Sequence, residues 1–291
     1  MSERPRLAQH SIEGRRTYQE DSIFADTLSD GRILVAVADG MGGHAAGEVA
    51  SALALETLRA SLDVGVELGE AFRLANQQVH AKSREPGKQG MGTTLVAVLL
   101  EGDQYLVGNV GDSRGYLLDR GGIRRLTEDH SFVAEAMKRG RSEEEATASQ
   151  WRDALTRAIG TDSKVDVDVF GPFPVENNTA ILLCSDGLYK TLKEKDLLEI
   201  FVRSGGPKGA AQTLVSAAYE RGSDDNISVV VAEFGQVPRE QGQGTMPLEF
   251  VPPDFESPPE DPRAGAGEPR PVDEPEAPDG GKGSWWQRWR R

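Results

Sequence analysis

A strand that ends in an acid constrains this chain more than any other feature. The apolar run 33–38 shows no alternation of polar and apolar residues, so we predict a β-strand that is buried on both faces. The run ends at Asp39, and the glycine-rich segment 40–43 that follows lets the backbone bend and approach an ion closely. Taken alone, the pattern fits an ordinary Asp-Gly turn equally well. Other acids in the chain decide between the two interpretations.

Three further acids lie at the ends of predicted strands. Asp186 follows one apolar run, Asp225 precedes another, and Asp112 lies between two predicted strands. We expect these carboxylates to form one shared site with Asp39. Carboxylate oxygens that have no Cys or His partner are hard ligands, which suit Mg²⁺ or Mn²⁺ better than Zn²⁺. The sequence therefore predicts a site for hard divalent cations.

Charge and cysteine content exclude several classes of protein. The 291 residues carry a formal net charge of −14, which argues against a nucleic-acid-binding surface. The single cysteine, Cys184, excludes an internal disulfide, and we predict that it is a small buried hydrophobic residue in a reducing compartment. The first residues lack the apolar segment of a signal peptide, and no run reaches the about 20 apolar residues that span a bilayer. We expect a cytoplasmic protein.

Strand patterns come in blocks, and helical patterns come in pairs. Helical spacing follows residue 44 through 58 and covers 71–82, and it returns at 192–202 and 210–221. Short turns between consecutive strands, such as the Gly-Asp pair 102–103, indicate antiparallel pairing. This order predicts an α+β sandwich rather than a parallel, doubly wound sheet.

Composition divides the chain into three parts. Residues 1–235 carry the strand and helix patterns, whereas residues 236–283 are rich in Pro, Glu, Asp and Gly, so we expect a disordered linker there. Residues 284–291 form a cationic tail with three tryptophans. On a short helix the tryptophans would share one face, which favours contact with an anionic membrane surface or an acidic protein partner. A frayed terminus without a partner is the alternative.

A series of short motifs, in chain order, resembles one family: the PPM-type, or protein phosphatase 2C-like, metal-dependent Ser/Thr phosphatases. The motifs are Arg16 with Glu20-Asp21, Asp39-Gly40-Met41-Gly42-Gly43, Gly92-Thr93-Thr94, Gly111-Asp112-Ser113-Arg114, Leu155-Thr156-Arg157-Ala158-Ile159-Gly160, Ser185-Asp186-Gly187-Leu188 and Asp225-Asn226. The Met-Gly-Gly-His form resembles the bacterial branch. The resemblance implies a four-layer αββα sandwich, with two antiparallel sheets flanked by antiparallel helix pairs. Residues 1–235 would then be the catalytic domain.

The resemblance also implies a set of metal ligands. Asp39 would bridge two Mn²⁺ or Mg²⁺ ions, and the Gly40 carbonyl would bind one of them. Asp186 and Asp225 would complete the shell of the first ion. A third ion, known in bacterial members, would be held by Asp112 and Asp186.

Two further residues have roles implied by the resemblance. Asp21 would hold metal-bound waters, and the Arg16 guanidinium would grip the substrate phosphate, a bidentate task that its planar fork suits. Arg16, Asp39, Asp186 and Asp225 are the predicted catalytic residues. A hydroxide that bridges the ions would attack phosphorus directly, without a covalent phosphoenzyme.

The implied function is hydrolysis of phosphoserine and phosphothreonine in proteins, which reverses a Ser/Thr kinase. The expected partners are phosphorylated proteins, the kinase and its substrates, with no nucleic acid, and we expect a monomer. The alternative is a non-catalytic, phosphoprotein-binding regulatory domain of the same fold. Such domains usually lose metal carboxylates, whereas Asp39, Asp186 and Asp225 are all present. A Cys-dependent phosphatase is excluded because Lys190, not Arg, stands six residues after Cys184.

The chain departs from the family at two places. Met41 stands where some relatives carry a His that donates a proton to the leaving oxygen, and His44 follows three residues later. The proton donor is therefore unassigned. The segment 141–150 occupies the position of the family's flap, but residues 148–151 lack the His-Pro pair expected there, and we expect a polar, mobile insertion.

Overall fold

Two antiparallel β-sheets organise the chain. The computed structural model describes residues 4–43, 45–119 and 121–237. The strands are β1 (Arg6–Ile12), β2 (Asp21–Thr27), β3 (Ile33–Met41), β4 (Gly92–Thr93), β5 (Leu95–Glu101), β6 (Gln104–Val110), β7 (Arg114–Asp119), β8 (Gly122–Arg125), β9 (Asp168–Pro174), β10 (Thr179–Cys184) and β11 (Ile227–Phe234). The helices are α1 (Ala45–Asp63), α2 (Leu68–Lys82), α3 (Phe132–Lys138), α4 (Glu143–Thr147), α5 (Asp186–Tyr189), α6 (Glu194–Arg203) and α7 (Pro207–Glu220).

The order of the strands places β3 and β11 inside their sheets. One sheet has the order β1-β11-β10-β7-β8, and the other has the order β2-β3-β5-β6-β9, with β4 paired to β3. In the β5–β6 hairpin Glu101 pairs with Gln104, which confirms the turn predicted at 102–103. Gly102 adopts φ 64°, a left-handed conformation that tight hairpin turns favour and that glycine adopts without strain.

Alternate residues of β3 serve two different cores. Ile33, Val35 and Val37 face the space between the sheets, where Val230 and Ala232 of β11 also pack. Leu34, Ala36 and Ala38 face the other side, in a core shared with α1 and α2. These six side chains of β3 are all buried, so the prediction of a strand buried on both faces is confirmed for residues 33–38. Burying a Val or Leu side chain stabilises the fold by about 1.5–3 kcal/mol relative to leaving it exposed.

Helices cover the outer face of each sheet. α1 and α2 pack on each other and against the sheet that contains β3. α6 and α7 pack on each other, and α7 lies along β1 and β11 of the second sheet. The layers therefore follow the order helices, sheet, sheet, helices, which confirms the predicted four-layer αββα sandwich.

The predicted insertion at 141–150 contains a short helix, α4. Ser142 and Glu145 form a capping box, in which each side chain bonds the backbone N–H of the other residue. Ala146 is buried against Phe132 and Ala136, so α3 and α4 share a small core of their own. The sequence pattern missed this helix because only one apolar residue of a single turn faces inward.

The packed chain continues slightly beyond the expected end of the domain. Val237 is 4% exposed, and its N–H donates to the Glu233 carboxylate at 3.1 Å. The division at residue 235 stays a prediction, and the rest of the linker 236–283 and the tail 284–291 lie outside the described residues. None of the helices formed by the described residues has the length and apolar character needed to cross a membrane.

Candidate active site

Two of the predicted acids meet on neighbouring strands. Asp21 begins β2, and Asp39 lies near the end of β3, where the antiparallel register pairs the two residues directly. Asp21 is 7% exposed and Asp39 is partly buried. The β3 core residues set this register, because a one-residue slip would exchange the β-branched face that packs between the sheets with the differently shaped face that packs in the core of α1 and α2.

The backbone of Asp39 is held on both sides by the Gly-Thr-Thr motif. Its N–H donates to Thr94 Oγ1 at 2.9 Å. Its carbonyl accepts from the Thr93 hydroxyl at 2.9 Å and from the Thr94 N–H at 2.8 Å. These three bonds fix the direction in which the strand presents the Asp39 carboxylate.

The second sheet supplies two more acids at the same edge. Asp186 follows β10 and starts α5, and Asp225 lies two residues before β11. The two segments approach closely at Gly187, where a Cβ atom would lie 2.1 Å from the Asn226 carbonyl oxygen. Only glycine allows this approach, so Gly187 brings Asp186 near Asp225.

Ser185 links the two sheets beneath the acids. Its hydroxyl donates to Asp21 Oδ2 at 2.8 Å and accepts from the Ser228 N–H at 3.1 Å. The first sheet's buried acid is thereby bonded to the strand ends of the second sheet. The four carboxylates of Asp21, Asp39, Asp186 and Asp225 interact electrostatically as one group.

Asn226 holds the loop that carries Arg16. Its side-chain oxygen accepts from the Glu20 N–H at 2.8 Å, and its side-chain nitrogen donates to the carbonyls of Glu13 and Tyr18 at 2.9 Å each. The loop backbone before β2 is therefore attached to the segment before β11.

Asp112 stands at the end of β6, beside the group. Its Oδ2 accepts from the Tyr189 hydroxyl at 3.2 Å. Burial, followed by the charge of the nearby Asp186 carboxylate, raises the pKa of Asp112 to about 7, while Lys190 opposes this rise. The predicted site thus includes Asp112 at its border.

Burial and mutual repulsion act together on the carboxylates. Burial raises the pKa of Asp21 to about 7, with the charges of Asp186 and Asp225 adding to the effect and the serine hydroxyls opposing it. Burial, followed by the charge of Asp21, raises the pKa of Asp39 well above its usual value. The pKa of Asp225 is also raised, mainly by burial and then by Asp186. This concentration of negative charge favours cation binding.

Two side-chain cations lie against the acids. Arg16 donates to Asp225 Oδ2 at 2.8 Å and to the Asp224 carbonyl at 2.9 Å. Lys190 Nζ lies 2.5 Å from Asp186 Oδ2. Each cation compensates one carboxylate at the rim, and none of the cationic side chains described in the structure forms an ion pair with Asp21 or Asp39.

The donor atoms fit hard divalent cations in their chemistry. Oδ1 of Asp21 and Oδ1 of Asp186 are buried and have no hydrogen-bond partner among the described residues. A buried carboxylate oxygen without a partner is costly, and a metal ion or its water is a partner that removes the cost. Within residues 4–43, 45–119 and 121–237, however, no three His, Cys, Asp or Glu side chains are preassembled as a metal-binding group.

Comparison with known proteins decides the family. The family described as Protein phosphatase 2C matches residues 8–216. The chain belongs to this family. The serine/threonine phosphatase stp of Listeria welshimeri is 37% identical over 231 residues, which cover 75% of this chain and 91% of that relative. This chain is accordingly a serine/threonine phosphatase, and its related proteins are bacterial.

Solved structures of related phosphatases share the fold of this phosphatase. The serine/threonine phosphatase of S. agalactiae superposes with a TM-score of 0.73 at 30% identity, covering 79% of this chain and 99% of that one. The catalytic domain of the serine/threonine phosphatase PstP in complex with two manganese ions has a TM-score of 0.68 at 33% identity, covering 80% and 99% of the two chains.

The structure of this phosphatase brings the predicted site residues together. Asp21, Asp39, Asp186 and Asp225 converge from both sheets, with Asp112 and Arg16 at the border. Gly40 follows Asp39 directly, and its N–H donates to the Glu20 carbonyl at 3.1 Å. Met41 packs towards Gly92, where a Cβ atom would lie 2.7 Å from the Met41 methyl carbon, and His44 lies outside the described residues.

Sequence reasoning missed the residues that hold the acids in place. Ser185, Thr94 and Asn226 were part of the motifs, yet their hydrogen bonds join segments far apart in the chain. Lys190 entered the sequence argument only through its separation of six residues from Cys184. Its position four residues after Asp186, the first residue of α5, was the signal that could have found it.

The close approach at Gly187 yields a direct test. Gly187→Ala would place a methyl group 2.1 Å from the Asn226 carbonyl oxygen, so the backbone must shift. We expect the free energy of unfolding to fall by about 1–3 kcal/mol, as measured by urea denaturation, and kcat/KM to fall with it. Gly209→Ala is the matched control. Gly209 lies in α7, and apart from the backbone of its own helix no described atom lies within 4 Å of the added carbon. Equal stability of the two variants would refute this account of Gly187.

Proposed function

We propose that this phosphatase hydrolyses phosphoserine and phosphothreonine in proteins with the help of two Mn²⁺ or Mg²⁺ ions. The observation that carries the proposal is the convergence of strand-end carboxylates from both sheets. Among the described residues, one buried carboxylate oxygen of Asp21 and one of Asp186 have no hydrogen-bond partner. The presence of two manganese ions in the related PstP catalytic domain supports it.

Asp39, the Gly40 carbonyl, Asp186 and Asp225 would hold the two ions, and Asp21 would hold their waters. The ions, when bound, supply an acidified water as the nucleophile and cancel the repulsion between carboxylates and the phosphate dianion. The protein's own part is to hold these oxygens rigidly, through the Thr93 and Thr94 bonds to Asp39 and the Ser185 bond to Asp21. Such preorganisation lowers the cost of reaching the transition state.

Arg16 would bind the substrate phosphate at the rim. Its guanidinium is exposed and lies beside Asp225, so phosphate oxygens can reach it from solvent. The loop that carries Arg16 is held by Asn226, which limits the conformations that Arg16 can adopt. A planar guanidinium binds two phosphate oxygens at once and so orients the phosphorus atom.

The enzyme would oppose a Ser/Thr kinase and act as a monomer in the cytoplasm. The alternative, a non-catalytic regulatory domain of the same fold, would bind phosphoproteins without turnover. The retained set Asp39, Asp186 and Asp225 favours the enzyme, because a binding domain has no need of buried, mutually repelling carboxylates.

Residues 284–291 would tether this cytoplasmic enzyme to anionic membrane surfaces. The tail combines Trp285, Trp286 and Trp289 with a cluster of arginines, a composition that suits the boundary between lipid headgroups and acyl chains. The linker 236–283 would let the catalytic domain move about the tether and raise its effective concentration near membrane-bound substrates. The alternative is that the tail would bind an acidic protein partner.

Metal removal and a single ligand change test the proposed chemistry. We expect hydrolysis of phosphothreonine peptides with Mn²⁺ or Mg²⁺, none in EDTA, and little hydrolysis of phosphotyrosine peptides. Asp39→Asn should lower kcat/KM by about 10²–10³-fold, the usual cost of losing one group that stabilises transition-state charge. Asp103→Asn, in the exposed 102–103 turn, is the matched control. Turnover in EDTA contradicts the mechanism, and phosphopeptide binding without turnover favours the regulatory domain.

Replacing Arg16 separates phosphate binding from the chemical step. Arg16→Ala should raise KM for phosphopeptides by roughly 10–100-fold, because a charge-assisted hydrogen bond contributes about 1.5–3 kcal/mol, and should weaken inhibition by inorganic phosphate. Arg15→Ala is the matched control, since the Arg15 guanidinium lies over the Tyr219 ring, 5.8 Å from its centroid. Steady-state kinetics that change equally in both variants would exclude the role given to Arg16.

Truncation tests the domain boundary and the tail together. A chain that ends at Val237 should keep its melting temperature and its kinetics on short phosphopeptides, because Val237 is the last described residue packed in the core. It should lose co-sedimentation with vesicles that contain anionic lipid. A chain that lacks only residues 284–291 should behave in the same way. If vesicle binding survives both deletions, the tail has no role in membrane attachment.

A further inference from the structure

Lys190 occupies an unusual position next to two of the predicted metal ligands. Its Nζ lies 2.5 Å from Asp186 Oδ2 and 3.9 Å from Asp153 Oδ1. Lys190 follows Asp186 by four residues, at the C-cap of α5, where the backbone is still helical. Side chains four residues apart on a helix face each other, so the helix itself directs Lys190 onto Asp186.

Asp112 lies within the electrostatic reach of the same ammonium group. Lys190 interacts with the charges of Asp186, Asp112 and Asp153. The other contact of Asp112 comes from the Tyr189 hydroxyl, which donates to its Oδ2 at 3.2 Å. Arg114 packs over the Tyr189 ring, 3.5 Å from its centroid, and keeps that ring beside Asp112. The Lys190 ammonium group thus pairs directly with Asp186 and acts on Asp112 through its charge.

The third-ion site expected from the family resemblance does not fit this arrangement. That ion would need oxygens of Asp112 and Asp186, yet one oxygen of each carboxylate is already engaged, Oδ2 of Asp186 by Lys190 and Oδ2 of Asp112 by Tyr189. A divalent cation placed there would also be repelled by the ammonium charge.

We propose that the Lys190 ammonium replaces the third metal ion between Asp112 and Asp186, so that this phosphatase binds two ions rather than three. The inference rests on the proposed two-ion site. Lys190 is a positioning residue in this scheme, because its ammonium group pairs with Asp186 and its positive charge offsets that of Asp112, without touching the substrate.

The region around Lys190 is open to solvent, which makes the inference testable. Asp112, Asp153 and Lys190 line a groove of about 980 Å³ that runs towards α3 and α4. Without the Lys190 charge, Asp112, Asp153 and Asp186 would remain as a set of hard oxygen ligands that ions can reach from the groove.

The experiment counts bound Mn²⁺ in the full chain, by equilibrium dialysis and by the electron paramagnetic resonance signal of free Mn²⁺. We expect two ions in the wild type and three in Lys190→Met, which keeps the aliphatic stem and removes the charge. Lys195→Met is the matched control, since it lines the same groove, and should bind two. Lys190→Arg should also bind two, and Lys190→Met combined with Asp112→Asn should return to two. Lys190→Gln repeats the test if the Met variant has a lowered melting temperature.

The outcomes separate this inference from the proposed function. Three ions in the wild type, or two in both Lys190→Met and Lys190→Gln, would overturn the role of Lys190 and leave the two-ion site intact. A wild-type chain that binds no Mn²⁺ would overturn both the role of Lys190 and the proposed two-ion site.

Discussion

Repulsion among carboxylates at one edge of the sandwich is the constraint on which the rest of the structure depends. Burial, and after it the charges of neighbouring carboxylates, raises the cost of ionising Asp21, Asp39 and Asp225. The serine hydroxyls beside Asp21 and the charges of Arg16 and Lys190 near Asp225 offset only part of this cost. The apolar layers offset the rest, because β3 and β11 are buried on both faces and cannot shift without exposing a core.

The hydrogen bonds around the acids show how that apolar stability is used. Thr93 and Thr94 hold Asp39, Ser185 bonds Asp21, and Asn226 ties down the loop of Arg16. Each bond contributes only about 0.5–1.5 kcal/mol to stability. Together they hold in place the strand ends and loops that carry the carboxylates, and such rigidity is what a metal-dependent hydrolase requires.

The chain's own cations divide the site into two parts. Asp186 and Asp112 lie on the side of Lys190, whereas Asp39 and Asp21 form no ion pair with a cationic side chain in the part of the chain that the structure describes. The uncompensated pair marks where the bound ions of the proposed mechanism are needed most. On the opposite border, Arg16 lies beside Asp225 and is exposed to the solvent from which a phosphorylated substrate arrives.

Sequence patterns alone determined the strands, the helix pairs and the acids at strand ends, because these depend on local periodicity and residue type. The family resemblance then supplied the four-layer sandwich and the roles of the site residues. Only the tertiary structure decided which donors reach those acids: the partners of Ser185 and Asn226 lie 164 and 213 residues away. The helix α4 and the engagement of Asp186 by Lys190 also came from the structure. Such contacts depend on how segments that are far apart in the chain pack together. A pattern read along one sequence contains no information about which of those segments meet.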